Sequence, residues 1–271
     1  MNPSILSLTP PTTGTRIAYG SADRQQFGDL RLPEGAGPFP LAVYIHGGFW
    51  RARYDLTHAG NVCSALTAAG LATWNIEYRR IGNGGGWPAT FNDVEAGADF
   101  VTTLAISHPI DLTRVLTCGH SAGGQLALWL AARRNIKAAE RPHSLSSLAL
   151  VAAVSLAGVV DLHRSWQLGL GGGAVTELLG GSPETYPERY ADASPAALLP
   201  LGIPQTLIHG AEDDTVPCSM SEEYASRAIQ HGDSATMERL EGAGHFDLVD
   251  PRSAHWPRAE RTIVKLLSGA E

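Results

Sequence analysis

Gly119-His120-Ser121-Ala122-Gly123 sets a serine hydroxyl between two glycines, directly after the apolar run Val115-Leu116-Thr117-Cys118. Glycines at those two places let the chain turn tightly from a strand into a helix and leave the serine exposed at the turn. Gln125-Leu126-Ala127-Leu128-Trp129-Leu130-Ala131-Ala132 is the helix that receives it. A serine hydroxyl is a weak nucleophile at neutral pH, so it needs a base within hydrogen-bond reach and a carboxylate to orient that base.

The candidate base is His245, in Gly242-Ala243-Gly244-His245-Phe246, a loop after the last strand-like run. Loops at the carboxyl ends of parallel strands are where open α/β sheets hold their ligands. The other histidines have weaker settings. His120 flanks the serine from inside the turn, His209 ends a strand as a structural residue, and His58, His108, His143, His163, His231 and His255 read as surface residues. For the carboxylate, Glu212-Asp213-Asp214 offers three acids in a row after a strand. Asp213 is the first candidate, Asp214 the second, and Asp161 a more distant third.

An attacked carbonyl also needs backbone N–H donors where negative charge develops, each lowering the barrier by about 3 kcal/mol. Ala122, next to the serine, offers one. His46-Gly47-Gly48-Phe49-Trp50, after the strand Leu41 to Ile45, offers the others at Gly48 and Phe49, because glycine lets backbone approach a substrate closely. Trp50, Trp87 and Trp166, with Phe49, are candidate walls of an aromatic substrate pocket.

The elements that must carry these residues alternate between short apolar runs and longer helical patterns, the signature of βα units around a mostly parallel sheet. Strands are expected at Leu41 to Ile45, Leu71 to Ile76, before Ser121, at Leu148 to Leu156, Gln205 to Ile208 and Ala235 to Leu240. Helices are expected at Leu56 to Ala69, Thr90 to Ser107, after Ser121, at Ser219 to Gln230 and Ala254 to Leu267. Thr15 to Tyr19 and Phe27 to Leu32 read as an antiparallel entry hairpin. Between 161 and 200 the rhythm lapses into glycines, prolines and isolated aromatics, which reads as a small cap inserted after the strand ending near Gly158.

At 271 residues the chain suits one α/β domain spanning 1–271. A net charge of −7 gives no footprint for nucleic acid, and no apolar stretch is long enough for a membrane span or a signal peptide. Cys63, Cys118 and Cys218 are too far apart in sequence to suggest a zinc site or a disulfide framework. The expectation is a cytoplasmic enzyme that needs no metal or cofactor; its oligomeric state is not written in the sequence.

The order Ser121, Asp213, His245 is that of the α/β-hydrolases. With it, His46-Gly47-Gly48-Phe49-Trp50, Gly119-His120-Ser121-Ala122-Gly123-Gly124, Gly158-Val159-Val160-Asp161-Leu162 and His245-Phe246-Asp247 resemble that superfamily across nearly the whole chain. The first string is similar to the His-Gly-Gly-x-Trp motif of the kynurenine formamidase (arylformamidase) group and neighbouring hormone-sensitive-lipase-like esterases. The resemblance implies a triad of Ser121, Asp213 and His245 and an oxyanion hole in the loop after His46. The function expected is a serine carboxylesterase cleaving small aryl or short-acyl esters. The rivals are an arylformamidase acting on the corresponding amide, and a hydrolase fold kept as a non-catalytic binding module.

Overall fold

The computed structural model describes residues 4–11, 13–136 and 148–268. Leu41-Ala42-Val43-Tyr44-Ile45 is buried at every position, with Leu41, Val43 and Ile45 in one apolar cluster and Ala42 and Tyr44 in another. A strand alternates its side chains between two faces, so a run apolar throughout must be covered on both.

In chain order the strands are β1 (Thr15–Ala18), β2 (Phe27–Arg31), β3 (Phe39–Ile45), β4 (Ala72–Ile76), β5 (Ile110–His120), β6 (Ala152–Leu156), β7 (Gln205–Gly210) and β8 (Ala235–Leu240). They form one sheet in the order β1-β2-β4-β3-β5-β6-β7-β8. The pairs β1/β2 and β2/β4 are antiparallel and the rest parallel. Parallel neighbours bring the ends of β3, β5 and β7, and the loops after them, to one edge.

The helices are α1 (Ser4–Ser7), α2 (Gly60–Ala68), α3 (Ala89–Asp99), α4 (Val101–Ser107), α5 (Ala122–Ala132), α6 (Leu162–Gln167), α7 (Ala174–Leu179), α8 (Pro187–Ala193), α9 (Cys218–Gln230) and α10 (Trp256–Ser268). On one face α2 and α10 bury Val62, Leu66, Trp256 and Ile263. On the other, α3, α4, α5 and α9 bury Phe91, Leu104, Leu126, Trp129 and Tyr224. This is the mostly parallel, helix-flanked sheet that the alternating runs predict.

Three expectations need adjustment. The helix expected over Thr90 to Ser107 is two helices meeting at Phe100. The apolar run Leu148 to Leu156 becomes a strand only from Ala152, and Leu148 donates its N–H to Asp99 instead (2.9 Å). Residues 161–200 hold three short helices rather than an unstructured stretch. Each is six or seven residues, too short to show periodicity, and Gly169, Gly171, Gly172, Gly173 and Gly180 take the left-handed backbone between them. His143 lies outside the described residues.

Candidate active site

β5 runs straight into Ser121, whose backbone sits at φ 56° and ψ −120°, and α5 begins at the next residue. Only small neighbours permit this. A Cβ on Gly119 would lie 2.1 Å from the carbonyl oxygen of Gly123, and one on Gly123 would lie 2.0 Å from that of Ile45. A serine at positive φ is strained by roughly 1–3 kcal/mol and persists only where its surroundings fix it. Here Ser121 N–H donates to Leu156 O (2.9 Å), while its carbonyl accepts from Gly124, Gln125 and Val159.

His245 and Asp213 meet at the same edge. His245 Nδ1 stands 2.7 Å from Asp213 Oδ2, both side chains being almost wholly buried. An ionised carboxylate can only accept, so Nδ1 carries the hydrogen and Nε2 is left as the basic nitrogen. Asp213 is held from three sides. Oδ1 accepts from the N–H groups of Thr215 and Val216 (both 2.8 Å), and His209 Nε2 lies 3.1 Å from Oδ2. Burial pushes the Asp213 pKa up, but the hydrogen bonds from His209 and His245 outweigh it and hold the carboxyl well below the usual range. His209 is thus more than a strand-end residue: its Nε2 also faces Val216 O (2.9 Å) and its Nδ1 faces Ser221 Oγ (2.7 Å), locking the ring that braces the acid.

Asp214 is exposed and accepts from the Thr215 hydroxyl, and Asp161 caps α6 through Arg164 N–H and pairs with Arg227. Neither is hydrogen-bonded to His245. His120 does flank the serine, as its position predicts; its Nε2 donates to the His245 carbonyl (2.9 Å) and its ring lies 4.5 Å from that of His245. Burial pushes the His120 pKa well below the ordinary histidine value.

The loop after β3 lies directly against the elbow, because a Cβ on Gly47 would be 2.7 Å from His120 O and 3.1 Å from Ser121 Cβ. Gly48, Phe49 and Trp50 all have positive φ (114°, 49° and 55°). Among the described residues no oxygen accepts a hydrogen bond from the N–H of Gly48, Phe49 or Ala122. The loop is clamped by Glu77 and Tyr78, directly after β4, which no motif singles out. Glu77, 1 % exposed, faces His46 Nε2 (3.1 Å) and accepts from the N–H groups of Tyr78 (2.8 Å) and Leu56 (3.1 Å). Tyr78 stacks on His46 and donates its hydroxyl to the His46 carbonyl (2.8 Å). Burial raises the Glu77 pKa, but His46 and Arg80 overcome it and hold the carboxyl low.

Ser121, His245 and Gly48 open onto one cavity of about 230 Å³, walled by Leu6, Phe49, Tyr54 and Phe246 with His58 and Thr215 between them. The tryptophans proposed as its walls are elsewhere. Trp50 is fully buried and donates Nε1 to Gln125 (3.0 Å), Trp87 packs on Phe91, and Trp166 lies beside His163. His58, expected on the surface, is buried here with its pKa pushed down by burial to about 4. Nothing in its local sequence signals this, because its burial comes from the fold of the loop ahead of α2. Among the described residues, no group of three or more His, Cys, Asp or Glu is placed to hold a metal ion, and no helix is long and apolar enough to cross a membrane.

Comparison with known proteins supplies the family. The esterase LipC of Mycobacterium tuberculosis is 28% identical over 266 residues, covering 89% of this chain and 64% of LipC. The chain spans 56% to 64% of the length of the curated relatives it matches. A truncated carbohydrate esterase from gut microbiota superposes with a TM-score of 0.82 at 22% identity, covering 96% of this chain and 98% of that one. Esterase 2 of Thermogutta terrifontis with propionate bound gives 0.76 at 20% identity, over 94% and 93% of the two chains. At those identities the structural likeness concerns the fold, which is the α/β-hydrolase fold. The BD-FAE family model matches residues 29–227, most of the chain, from within β2 to within α9, and the chain belongs to that family.

Proposed function

We propose that this chain is a carboxylic ester hydrolase that cleaves small esters, aryl or short-acyl, through an acyl-enzyme on Ser121. The observation that carries this is the pairing of His245 Nδ1 with Asp213 at 2.7 Å in a residue whose cavity also holds Ser121 and Gly48. Ser121 Oγ attacks the ester carbonyl and gives its proton to His245 Nε2. The negative charge that gathers on the carbonyl oxygen meets the N–H groups of Gly48, Phe49 and Ala122. As the carbon–oxygen bond breaks, His245 returns the proton to the departing alkoxide. Water then attacks the acyl-enzyme with His245 again taking the proton, and Ser121 is regenerated with release of the acid. Asp213, braced by His209, holds the imidazole in the tautomer both steps need.

Size and lining support small substrates. A cavity of 230 Å³ is below the range of about 300–1,000 Å³ common for drug-sized ligands, and Phe49, Tyr54 and Phe246 give it aromatic faces. The propionate complex of the Thermogutta esterase is in keeping with a short acyl group. Residues 161–200 serve in this account as a small cap on a single domain. Arg51 in the loop after β3 pairs with Glu177 of α7 (2.7 Å), and Gly171 leaves room for the Phe49 ring.

The arylformamidase reading shares all of this machinery and rests on the His-Gly-Gly-x-Trp string alone. Hydrolysis of a short-chain nitrophenyl ester and of N-formylkynurenine, measured side by side, separates the two. The ester is expected to give the higher kcat/KM by at least about tenfold, the scale on which one site discriminates related substrates. A preference for the formamide would reverse the assignment, and a folded protein inactive on both would favour a binding module.

A further inference from the structure

The amino-terminal segment is a wall of the cavity in which the proposed chemistry takes place, although no motif lies there. Leu6 of α1 faces the same space as Ser121, Gly48 and His245. It is fixed on both sides. Ile5, next to it, is 1 % exposed, and Leu8 N–H closes the turn on Ile5 O (3.3 Å). Beyond it, Asn61 of α2, itself buried, donates Nδ2 to Leu8 O (3.0 Å). Pro10 then crosses so close to α2 that a Cβ on Gly60 would stand 2.5 Å from its ring. A half-buried leucine between such anchors is a positioned apolar surface rather than a loose end.

We infer that Leu6 sets the length of acyl group the enzyme accepts. The inference rests on the esterase reading and adds which half of the ester the cavity measures. The alcohol leaves after the first step and needs a way out. The acyl group stays bonded to Ser121 until water arrives, so its length is limited by the walls standing around that serine. Leu6 is the aliphatic member of those walls and, on a segment outside the sheet, the one most easily exchanged without disturbing the triad.

Two substitutions of opposite sense test this, Leu6→Ala and Leu6→Trp, each checked for an unchanged thermal midpoint. They are assayed on nitrophenyl esters from acetyl to octanoyl and, separately, on acetate esters of alcohols of rising length. Leu6→Ala is expected to raise the hexanoyl-to-acetyl ratio of kcat/KM by about tenfold and Leu6→Trp to lower the butyryl-to-acetyl ratio by a similar factor, the effect of one or two methylenes in an apolar pocket. The ratios across the alcohol series should stay within about twofold, being outside the contact. Acyl ratios unmoved in both variants, or a shift confined to the alcohol series, would overturn the inference while leaving the esterase intact. A wild-type protein that hydrolyses no ester would remove both readings together.

Discussion

The edge that carries Ser121, His245 and Asp213 and the wall that faces it are built in opposite ways. At the edge, each residue follows a strand of the sheet, and short-range geometry contributes to its placement: a side chain on Gly119 would strike the Gly123 carbonyl oxygen, and two N–H groups within three residues hold Asp213. The wall is assembled from α1, the stretch between β3 and α2, and the loops after β7 and β8, segments far apart in sequence. Much of the chemistry is thus specified by nearby residues, whereas selectivity draws on long-range packing, as at Leu6, which bears none of the triad's own bonds.

The contrast is most severely tested by neighbours. Asp213→Asn should lower kcat by about 10⁴-fold, by presenting His245 in the wrong tautomer. Asp214→Asn, one residue on and exposed, should change kcat/KM less than about twofold, since surface groups away from such features have small effects. Equal losses would mean that the edge is not specified residue by residue. Next in size, Gly123→Ala should destabilise the fold by about 3 kcal/mol or more in urea unfolding, since its methyl meets Ile45 O with no room to shift. Wild-type stability in that variant would show that the elbow is looser than its geometry.

Acid should loosen the two regions in sequence. His58 in the wall has its pKa pushed from the ordinary 6.5 to about 4, so between those values the unfolded chain binds a proton that the folded chain does not. Stability therefore falls as pH drops through that window. His120, behind the elbow, is depressed in the same direction and adds to it. Asp213 acts later. Its carboxyl is depressed when folded, so its contribution is present above the ordinary carboxylate value and is lost only as pH falls toward the lower folded value. Urea midpoints between pH 7 and pH 4 should decline in wild type and decline less in His58→Leu; a flat profile would contradict the burial of both histidines. A change on the far side of the wall, Trp166→Ala, completes the series. It should leave kcat/KM for a nitrophenyl ester within about threefold, because that half-buried ring packs at the border of the core and off the cavity.

What the sequence made legible follows the same division. β8 spans the Ala235 to Leu240 run where a strand is expected, the elbow follows β5, and Asp213 rather than Asp214 meets His245, because a loop leaving a strand returns toward the next strand end. Three things were not legible. The helices at 162–193 are too short to show a period and depend on left-handed glycines. His209 and Glu77 look like a strand end and a loop start, and become braces only when β7 meets the Asp213 turn and β4 lies beside β3. The tryptophans are not wall residues because large aromatics usually pack in or against cores, as Trp50 does inside it and Trp87 and Trp166, half-buried, do at its border.

The most direct test is covalent. Wild-type protein treated with a fluorophosphonate and analysed by intact mass and peptide mapping should gain one adduct, on Ser121. Ser121→Ala should gain none and lose at least about 10⁴-fold in esterase kcat. An adduct on another residue, or a folded wild-type protein that stays unlabelled, would contradict the account.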